Sequence, residues 1–110
     1  MIISFDQIPG KELPNFKGGE KSFDVKMMDA EDGNRFMLGL LKPGATIGMH
    51  THETSSEVIY ILSGVGKVLC EGVYEPLAPG ACHYCPKGTA HSLINDSDGD
   101  LEFLAIVPEQ

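Results

Sequence analysis

Glycine and proline divide this chain into segments that are too short for ordinary helices. The 110 residues include 13 glycines and seven prolines, and they are spread along the whole length of the chain. Between them lie short stretches rich in β-branched and aromatic side chains, several of which alternate apolar with polar residues. Many short strands at even spacing predict an all-β sandwich or barrel.

Six stretches fit strands best, and turn sequences separate them. The predicted strands cover residues 22–28, 35–41, 57–64, 66–72, 81–85 and 101–107. Gly, Pro and Asx residues suited to chain reversal occur at 29–34, 42–44, 78–80 and 95–100. A chain of this length can build one hydrophobic core. We therefore predict a single domain, with residues 1–22 as an N-terminal arm or edge strand and residues 23–110 as the barrel.

The net charge of the chain limits the kinds of molecule that it is expected to bind. Eight Lys and Arg against 16 Asp and Glu give a formal net charge of −8, the wrong sign for binding nucleic acid. Arg35 is the only arginine, so a bidentate clamp on a strongly anionic substrate would depend on it. The apolar runs are far shorter than the ~20 residues of a membrane span, and the N-terminus lacks the basic region of a secretory signal. We expect a cytoplasmic protein that binds neither nucleic acid nor membrane.

The three cysteines are expected to be free thiols. Cys70, Cys82 and Cys85 are an odd number in a chain without an export signal. Strand alternation places His83 and Cys85 on one face, and Cys82 and Tyr84 on the other. An inward-facing His83 could support a functional site by hydrogen bonding or act as a general base, although a half-buried structural histidine is the simpler alternative. Redox chemistry is disfavoured because this Cys-x-x-Cys sequence lies in a strand and not at a helix N-terminus.

The sequence HTHETSSE (50–57) brings three potential metal ligands together. His50 and His52 point to the same face of a strand because side chains alternate along it. Glu57 is an odd number of positions further on, so it faces the histidines only if residues 53–56 bend and Glu57 opens the next strand. Glu53 is a rival carboxylate, but a continuing strand would turn it away from His52.

A second polar cluster lies between residues 80 and 95. Pro86 and Gly88 frame a sharp turn, and His91 begins a strand on which Leu93 and Asn95 share its face. One more imidazole could therefore come from across the barrel. The alternative is that all these histidines are ordinary polar residues near a barrel mouth.

Residues 44–64 match a known motif. The pattern G-x5-H-x-H-x4-E-x6-G is satisfied by Gly44, His50, His52, Glu57 and Gly64. This is the first of two motifs that define the cupin superfamily, which the chain resembles.

Residues 80–95 match the second cupin motif. The pattern G-x5-P-x-G-x2-H-x3-N is satisfied by Gly80, Pro86, Gly88, His91 and Asn95. The two motifs span about half of the chain, with the short separation of a small single-domain microbial cupin.

The resemblance implies a fold, a metal site and an assembly. The fold would be a double-stranded β-helix, the cupin jelly-roll barrel, and the protein a homodimer. His50, His52, Glu57 and His91 would hold one divalent ion, Mn, Fe, Zn, Ni, Co or Cu. The fold hosts many reactions, so the resemblance implies a small metalloenzyme of dioxygenase, isomerase or decarboxylase type acting on a small organic molecule. The alternative is a non-catalytic module that binds or senses a small molecule.

One departure from the family bears on the substrate. Oxalate-cleaving cupins carry an arginine three residues before the first motif histidine, where this chain has Ile47. Cleavage of oxalate is therefore disfavoured, unless Arg35 substitutes from an adjacent strand. The apolar residues expected to line the barrel or its interfaces are Phe23, Met27, Phe36, Met37, Met49 and Phe103.

Overall fold

The computed structural model describes residues 1–110 as ten strands in two antiparallel sheets. The strands are β1 (Lys11–Pro14), β2 (Ser22–Asp29), β3 (Arg35–Leu41), β4 (Thr46–Thr51), β5 (Glu57–Ser63), β6 (Gly66–Cys70), β7 (Val73–Leu77), β8 (Cys82–Cys85), β9 (Ala90–Ile94) and β10 (Leu101–Val107). Two short 3-10 helices cover Phe5–Gln7 and Phe16–Gly18. Neither helix has the length or the apolar character needed to cross a membrane.

The two sheets confirm the predicted all-β fold. One sheet has the order β1-β2-β3-β10-β5-β8, and the other has the order β4-β9-β6-β7. Neighbouring strands in both sheets are antiparallel, as in a double-stranded β-helix. The short strand β1 forms an edge of the larger sheet. The boundary between arm and barrel after residue 22 stays a prediction.

The six stretches with strand-like sequences all form strands, and β1 lies within the segment predicted as an arm or edge strand, whereas the sequence predicts no strand at β7. Every residue of β7 except Leu77 is exposed, so the strand lacks the apolar alternation that marks a half-buried one. It also contains Pro76, which weakens a strand signal. β7 forms through pairing with β6 at the edge of the smaller sheet.

The core is centred on two stacked aromatic rings. The rings of Phe23 (β2) and Phe103 (β10) have centroids 5.8 Å apart and planes at 9°. Gly39 lies beside them on β3, where a Cβ atom would come within 2.6 Å of the Phe103 ring. The close approach of the two rings to the β3 backbone therefore requires glycine. The fourteen core residues are Phe23, Val25, Met37, Leu41, Ala45, Ile47, Ile59, Ile61, Val68, Leu77, Leu93, Leu101, Phe103 and Ala105.

A bulge in β4 changes which side chains face the interior. Ile47 pairs with Leu93 and His50 pairs with His91, so the two strands lose one-to-one register between these pairs. The extra residue lets both Ile47 and His50 face inward although they are an odd number of positions apart. Met49, expected to line the barrel or its interfaces, is 48% exposed and does not line the interior, and its place at an interface stays a prediction.

The N-terminal arm packs against β4. The amide of Glu20 donates to Thr46 Oγ1 at 2.8 Å, and the amide of Thr46 donates to the Glu20 carbonyl at 3.0 Å. A Cβ atom on Gly48 would collide with the carbonyl oxygen of Lys17. Glycine at position 48 thus allows the short helix of the arm to lie directly on the strand that carries His50.

Candidate metal centre

Three strand segments bring the predicted ligands together. His50 lies on β4 opposite His91 on β9, and His52 follows directly after the end of β4. Residues 53–56 bend the chain, and Glu57 is the first residue of β5. Glu57 is buried, as the bent arrangement requires, whereas Glu53 is exposed.

The four side chains converge through one atom each. His52 Nε2 lies 3.2 Å from His50 Nε2, 3.1 Å from His91 Nε2 and 2.8 Å from Glu57 Oε1. His91 Nε2 lies 2.9 Å from the same carboxylate oxygen. One donor atom from each of the four residues therefore lies within 4.8 Å of the others.

A second contact on each ring keeps the three Nε2 atoms directed at this point. The Nδ1 atoms face the carbonyl oxygen of Gly48 at 2.7 Å for His50, Ser55 Oγ at 3.3 Å for His52, and His83 Nε2 at 3.0 Å for His91. A proton on Nδ1 of His50 can be donated to the Gly48 carbonyl, which leaves the Nε2 lone pair free for a metal ion.

The donor set fits a cation better than it fits hydrogen bonding among the residues themselves. When Nδ1 carries the proton, Nε2 is a lone pair, and three facing lone pairs beside a carboxylate repel one another. A divalent ion at their centre removes that repulsion, and imidazole with carboxylate is a normal ligand set for first-row transition metals. The residues present therefore fit the metal that the motifs imply.

The site favours the charge states that a metal ion needs. Burial by itself raises the pKa of Glu57, but in the metal-free site, where His52 and His91 can carry a proton on Nε2, hydrogen bonds from them outweigh burial and lower that pKa to about 2. Burial lowers the pKa of His50, which favours its neutral form. An ionised carboxylate and a neutral imidazole are the coordinating forms of these residues.

The turn of the second motif holds His52 from outside the strand. The amide of Gly88 donates to the His52 carbonyl at 2.6 Å, and the His52 amide donates to the Thr89 carbonyl at 3.4 Å. Gly88 has a φ of +85°, which glycine adopts without strain. The loop between β8 and β9 therefore fixes a predicted ligand carried by another part of the chain.

The converging atoms border a cavity of about 350 Å³. Ile47, Ile59, Leu93 and Phe103 contribute to an apolar lining on the barrel side. A cavity of this size with an apolar wall and convergent polar groups is typical of a small-molecule site.

Two charged residues on the rim of the cavity are paired with each other. Arg35 Nε lies 2.6 Å from Asp29 Oδ1, and Arg35 Nη2 lies 3.1 Å from Asp29 Oδ2. Both residues line the cavity, as does Lys17 of the arm. Sequence reasoning placed residues 1–22 at the periphery and gave no signal that Lys17 would reach the cavity.

His83 faces inward with Cys85, as strand alternation predicted, while Cys82 and Tyr84 are exposed. His83 contacts His91 but does not line the cavity. Its position therefore suits support of a ligand and not contact with a substrate. Ser55, which contacts His52, was missed because no spacing rule singles out one serine in the bend.

This protein has two antiparallel sheets around a cavity, and three histidines and a glutamate are arranged to hold a metal ion. These features define its general class. The family described as "Cupin domain" matches residues 37–107, which is more than half of the chain. The chain therefore belongs to the cupin family.

Similar proteins support this assignment over the full length of the chain. An oxalate-binding protein of Thermotoga maritima is 29% identical over 97% of this chain and 93% of its own length. The crystal structure of a predicted oxalate decarboxylase from Thermotoga maritima superimposes with a TM-score of 0.88 at 27% identity, covering all of both chains. The cupin domain of Schizosaccharomyces pombe Cnp3, at 11% identity, has a TM-score of 0.81, covers all of this chain and 74% of its own, and shows the shared fold alone.

Proposed function

We propose that this cupin binds one divalent metal ion through His50, His52, Glu57 and His91, and that the ion binds a small chelating carboxylate such as oxalate. The observation that carries the proposal is the convergence of the four donor atoms at the edge of a cavity. The oxalate-binding relative supports the choice of ligand class.

The donor spacing favours an ion with free coordination positions. Donors at about 2.1 Å from an ion lie about 3.0 Å apart when they subtend a right angle and about 3.4 Å apart in a tetrahedron. The four short separations here are 2.8 to 3.2 Å. They therefore suit Mn(II), Fe(II), Co(II) or Ni(II) in octahedral surroundings better than tetrahedral Zn(II). Two positions then remain for a bidentate ligand.

The positive charge for an anionic ligand must come mainly from the metal. Arg35 is already paired through two hydrogen bonds with Asp29, and Lys17 is the other cationic residue on the cavity lining. A dianion entering this cavity without the metal would lose hydration and would meet the carboxylates of Glu57 and Glu109. Ligand binding should therefore depend strictly on the metal.

The residues around the proposed metal site favour binding of oxalate over its cleavage. Ile47 stands where oxalate-cleaving cupins carry arginine, and its buried side chain lines the cavity. His83, the candidate general base, lies behind His91 and outside the cavity lining. When bound, the metal ion would supply the positive charge that attracts and orients the carboxylates.

Calorimetric titration of oxalate into protein loaded with Mn(II) tests this proposal. We expect binding to the loaded protein, and none to chelator-treated protein or to His52→Ala. A Glu53→Gln variant is the matched control, because Glu53 is exposed and should leave binding unchanged. Oxalate binding that survives both metal removal and His52→Ala would refute a metal-based site.

A metalloenzyme is the second candidate, supported by the same two free coordination positions. The products of incubation with oxalate and with other chelating acids and diketones separate the two candidates. Formate and carbon dioxide from oxalate, or oxygen consumption with another substrate, would identify an enzyme and contradict pure binding. Recovery of the ligand unchanged would support the binding protein.

We also propose a cytoplasmic homodimer formed through the outer face of the larger sheet. Tyr60 and Leu62 on β5 and Tyr84 on β8 are exposed on this face. Burial of these side chains against a second copy would remove apolar surface from water. Sedimentation should show a dimer that Tyr84→Glu weakens and that Tyr74→Glu, on the other sheet, leaves intact. A monomer at all concentrations would contradict this assembly.

A further inference from the structure

Three residues that the proposed function does not use as ligands form a second group of potential donors. Cys70, His83 and Cys85 each place one ligand atom within 4.8 Å of the other two. Cys70 is half-buried, His83 is 9% exposed and Cys85 is fully buried. None of the three lines the cavity beside the first donor set.

The second group lies one strand away from the first in both sheets. Cys70 on β6 is the register partner of His91 on β9, and Cys85 on β8 is the register partner of Glu57 on β5. The ring of His91 separates the groups, because its Nε2 faces Glu57 while its Nδ1 faces His83 Nε2 at 3.0 Å. The two groups therefore share one histidine–histidine contact.

We propose that Cys70, His83 and Cys85 form a second metal site, selective for thiol-seeking ions such as Zn(II), Cu(I) or Cd(II), and that filling it weakens the first site. Two thiolates and an imidazole are the donor types that these ions prefer. Three protein donors leave a fourth position for water, which can reach the group on the side of the half-buried Cys70.

The spacing requires a small contraction when an ion binds. Two sulfur atoms at about 2.3 Å from a tetrahedral ion lie about 3.8 Å apart. The donor atoms lie within 4.8 Å of one another, so rotation of the side chains can close the remaining gap. Cys85 now donates to the carbonyl oxygen of Thr89 at 3.4 Å, a weak hydrogen bond that metal binding would replace.

Burial keeps the two thiols protonated, which slows disulfide formation and means that a metal ion must displace their protons. Burial raises the pKa of both cysteines, to about 12 for Cys85. Protonated thiols are poor nucleophiles and react slowly with oxidants. A metal ion displaces the proton directly, because coordination stabilises the thiolate.

The two sites are coupled through the hydrogen bond between His83 and His91. This coupling rests on the proposed function of the first site. When His91 binds an ion through Nε2, its Nδ1 carries a proton and donates it to His83 Nε2. Coordination of a second ion by His83 Nε2 breaks that hydrogen bond. Coordination by His83 Nδ1 moves the proton of His83 to Nε2, so that two N–H groups face each other.

Either mode of coordination removes the hydrogen-bond partner of a first-site ligand. Loss of such a partner typically weakens metal binding by about 10- to 100-fold. By reciprocity, an ion in the first site weakens binding at the second site by the same factor. The two sites should therefore compete although no residue is a ligand in both.

Titration of the reduced, metal-free protein with Cd(II) tests the second site through the ultraviolet charge-transfer absorption of Cd–thiolate bonds. We expect this absorption in the native chain and in Cys82→Ser, the matched control for an exposed thiol outside the group. We expect its loss in Cys70→Ser and Cys85→Ser. Full absorption in both of those variants, or its loss in Cys82→Ser, would overturn the proposal.

Alkylation of the native chain provides a test that needs no variant. Cd(II) should protect Cys70 from iodoacetamide while Cys82 reacts at an unchanged rate, as read by mass spectrometry. Equal protection of both thiols, no protection of Cys70, or a Cys70–Cys85 disulfide in freshly purified protein would each overturn the second site.

The effect of Mn(II) on the Cd(II) titration measures the coupling between the two sites, because this hard ion prefers the first donor set to thiolates. Saturating Mn(II) should weaken Cd–thiolate formation by about 10- to 100-fold in the native chain and have no effect in His52→Ala. An unchanged Cd(II) titration in a chain shown to bind Mn(II) would overturn the coupling. Failure of the first site would appear separately, as absent Mn(II) binding with intact Cd–thiolate absorption.

Discussion

At the scale of single residues, the cavity holds two opposite charges that cancel each other. Arg35 lowers the pKa of Asp29 by hydrogen bonding, so the pair is ionised at neutral pH. Both side chains are well exposed, and a pair of this kind contributes at most about 1 kcal/mol to stability. The pairing matters more for ligand binding, because it occupies the only arginine of the chain.

Asp29→Asn should free Arg35 for an anionic ligand. We expect oxalate affinity to rise on the order of tenfold, the value of one additional charge-assisted hydrogen bond. Asp24→Asn on the same strand removes the same charge away from the cavity and should leave affinity unchanged. Calorimetric titration measures the oxalate affinity of both variants. An equal increase in affinity would mean that the net charge of the protein, and not Arg35, controls binding.

Protonation of His50 and His83 should make the stability of the metal-free protein depend on pH. Burial lowers the pKa of His50 and of His83 from 6.5. Below about pH 6.5 the unfolded chain therefore binds more protons than the folded chain, and the free energy of unfolding falls as pH falls. Each histidine contributes a slope of at most about 1.4 kcal/mol per pH unit.

Urea unfolding of chelator-treated protein between about pH 7.5 and pH 5 measures this dependence. His50→Gln should show a shallower slope than the native chain. Glu57 does not contribute in this range, because its pKa of about 2 places the loss of its stabilisation at more acidic pH. Stability that is constant or rises as pH falls would contradict the burial of uncharged histidines.

The convergence of the proposed ligands was predictable in part because spacing and alternation act locally. His50 and His52 share a face by the two-residue period of a strand, and the bend before Glu57 follows from the odd spacing. Ser55 and the carbonyl of Gly48, which orient two of these ligands, were not predictable. Their contacts depend on the final path of the bend and the bulge, which no local period encodes.

At the scale of secondary structure elements, the bulge in β4 and the glycine in β3 shape the interior. Alternation accounts for the faces of most strands, whereas the bulge shifts the register of β4 between Ile47 and His50. The arm was expected at the periphery, yet the close approach of Lys17 to Gly48 brings it to the cavity. Such contacts join residues distant in sequence and leave no periodic signal.

Gly39→Ala should destabilise the fold because the new methyl group meets the rings of Phe23 and Phe103. Its Cβ would lie 2.6 to 2.7 Å from ring atoms of both residues. Overpacking of this kind typically costs about 1 to 3 kcal/mol. Gly10→Ala, with open space around the added Cβ, is the control. Urea unfolding that shows equal stability for the two variants would contradict the tight packing around β3.

At the scale of the whole molecule, the candidate metal site joins both sheets. His50 and His91 belong to the smaller sheet, and Glu57 opens a strand of the larger one. An ion bound between them therefore crosslinks the two sheets. The motifs predicted this arrangement because their spacing reflects the barrel, whereas the position of the thiol group next to it depends on strand pairings that the motifs do not specify.

Metal should stabilise the entire domain by linkage. A free ion concentration about 100 times its dissociation constant adds about 2.7 kcal/mol to the free energy of unfolding. For a domain of this size the thermal midpoint should rise by about 10 to 20 °C. His52→Ala should show no such rise. Calorimetric scans in which Mn(II) stabilises both chains equally would show that the ion binds elsewhere.

The Mn(II) content of the purified, Mn(II)-loaded protein tests most directly whether the four converging side chains hold one ion. Elemental analysis should find one ion per chain in the native protein and in Glu53→Gln, and almost none in His52→Ala. Folding of each variant is verified by circular dichroism. Equal metal content in folded His52→Ala and native protein would contradict the central claim.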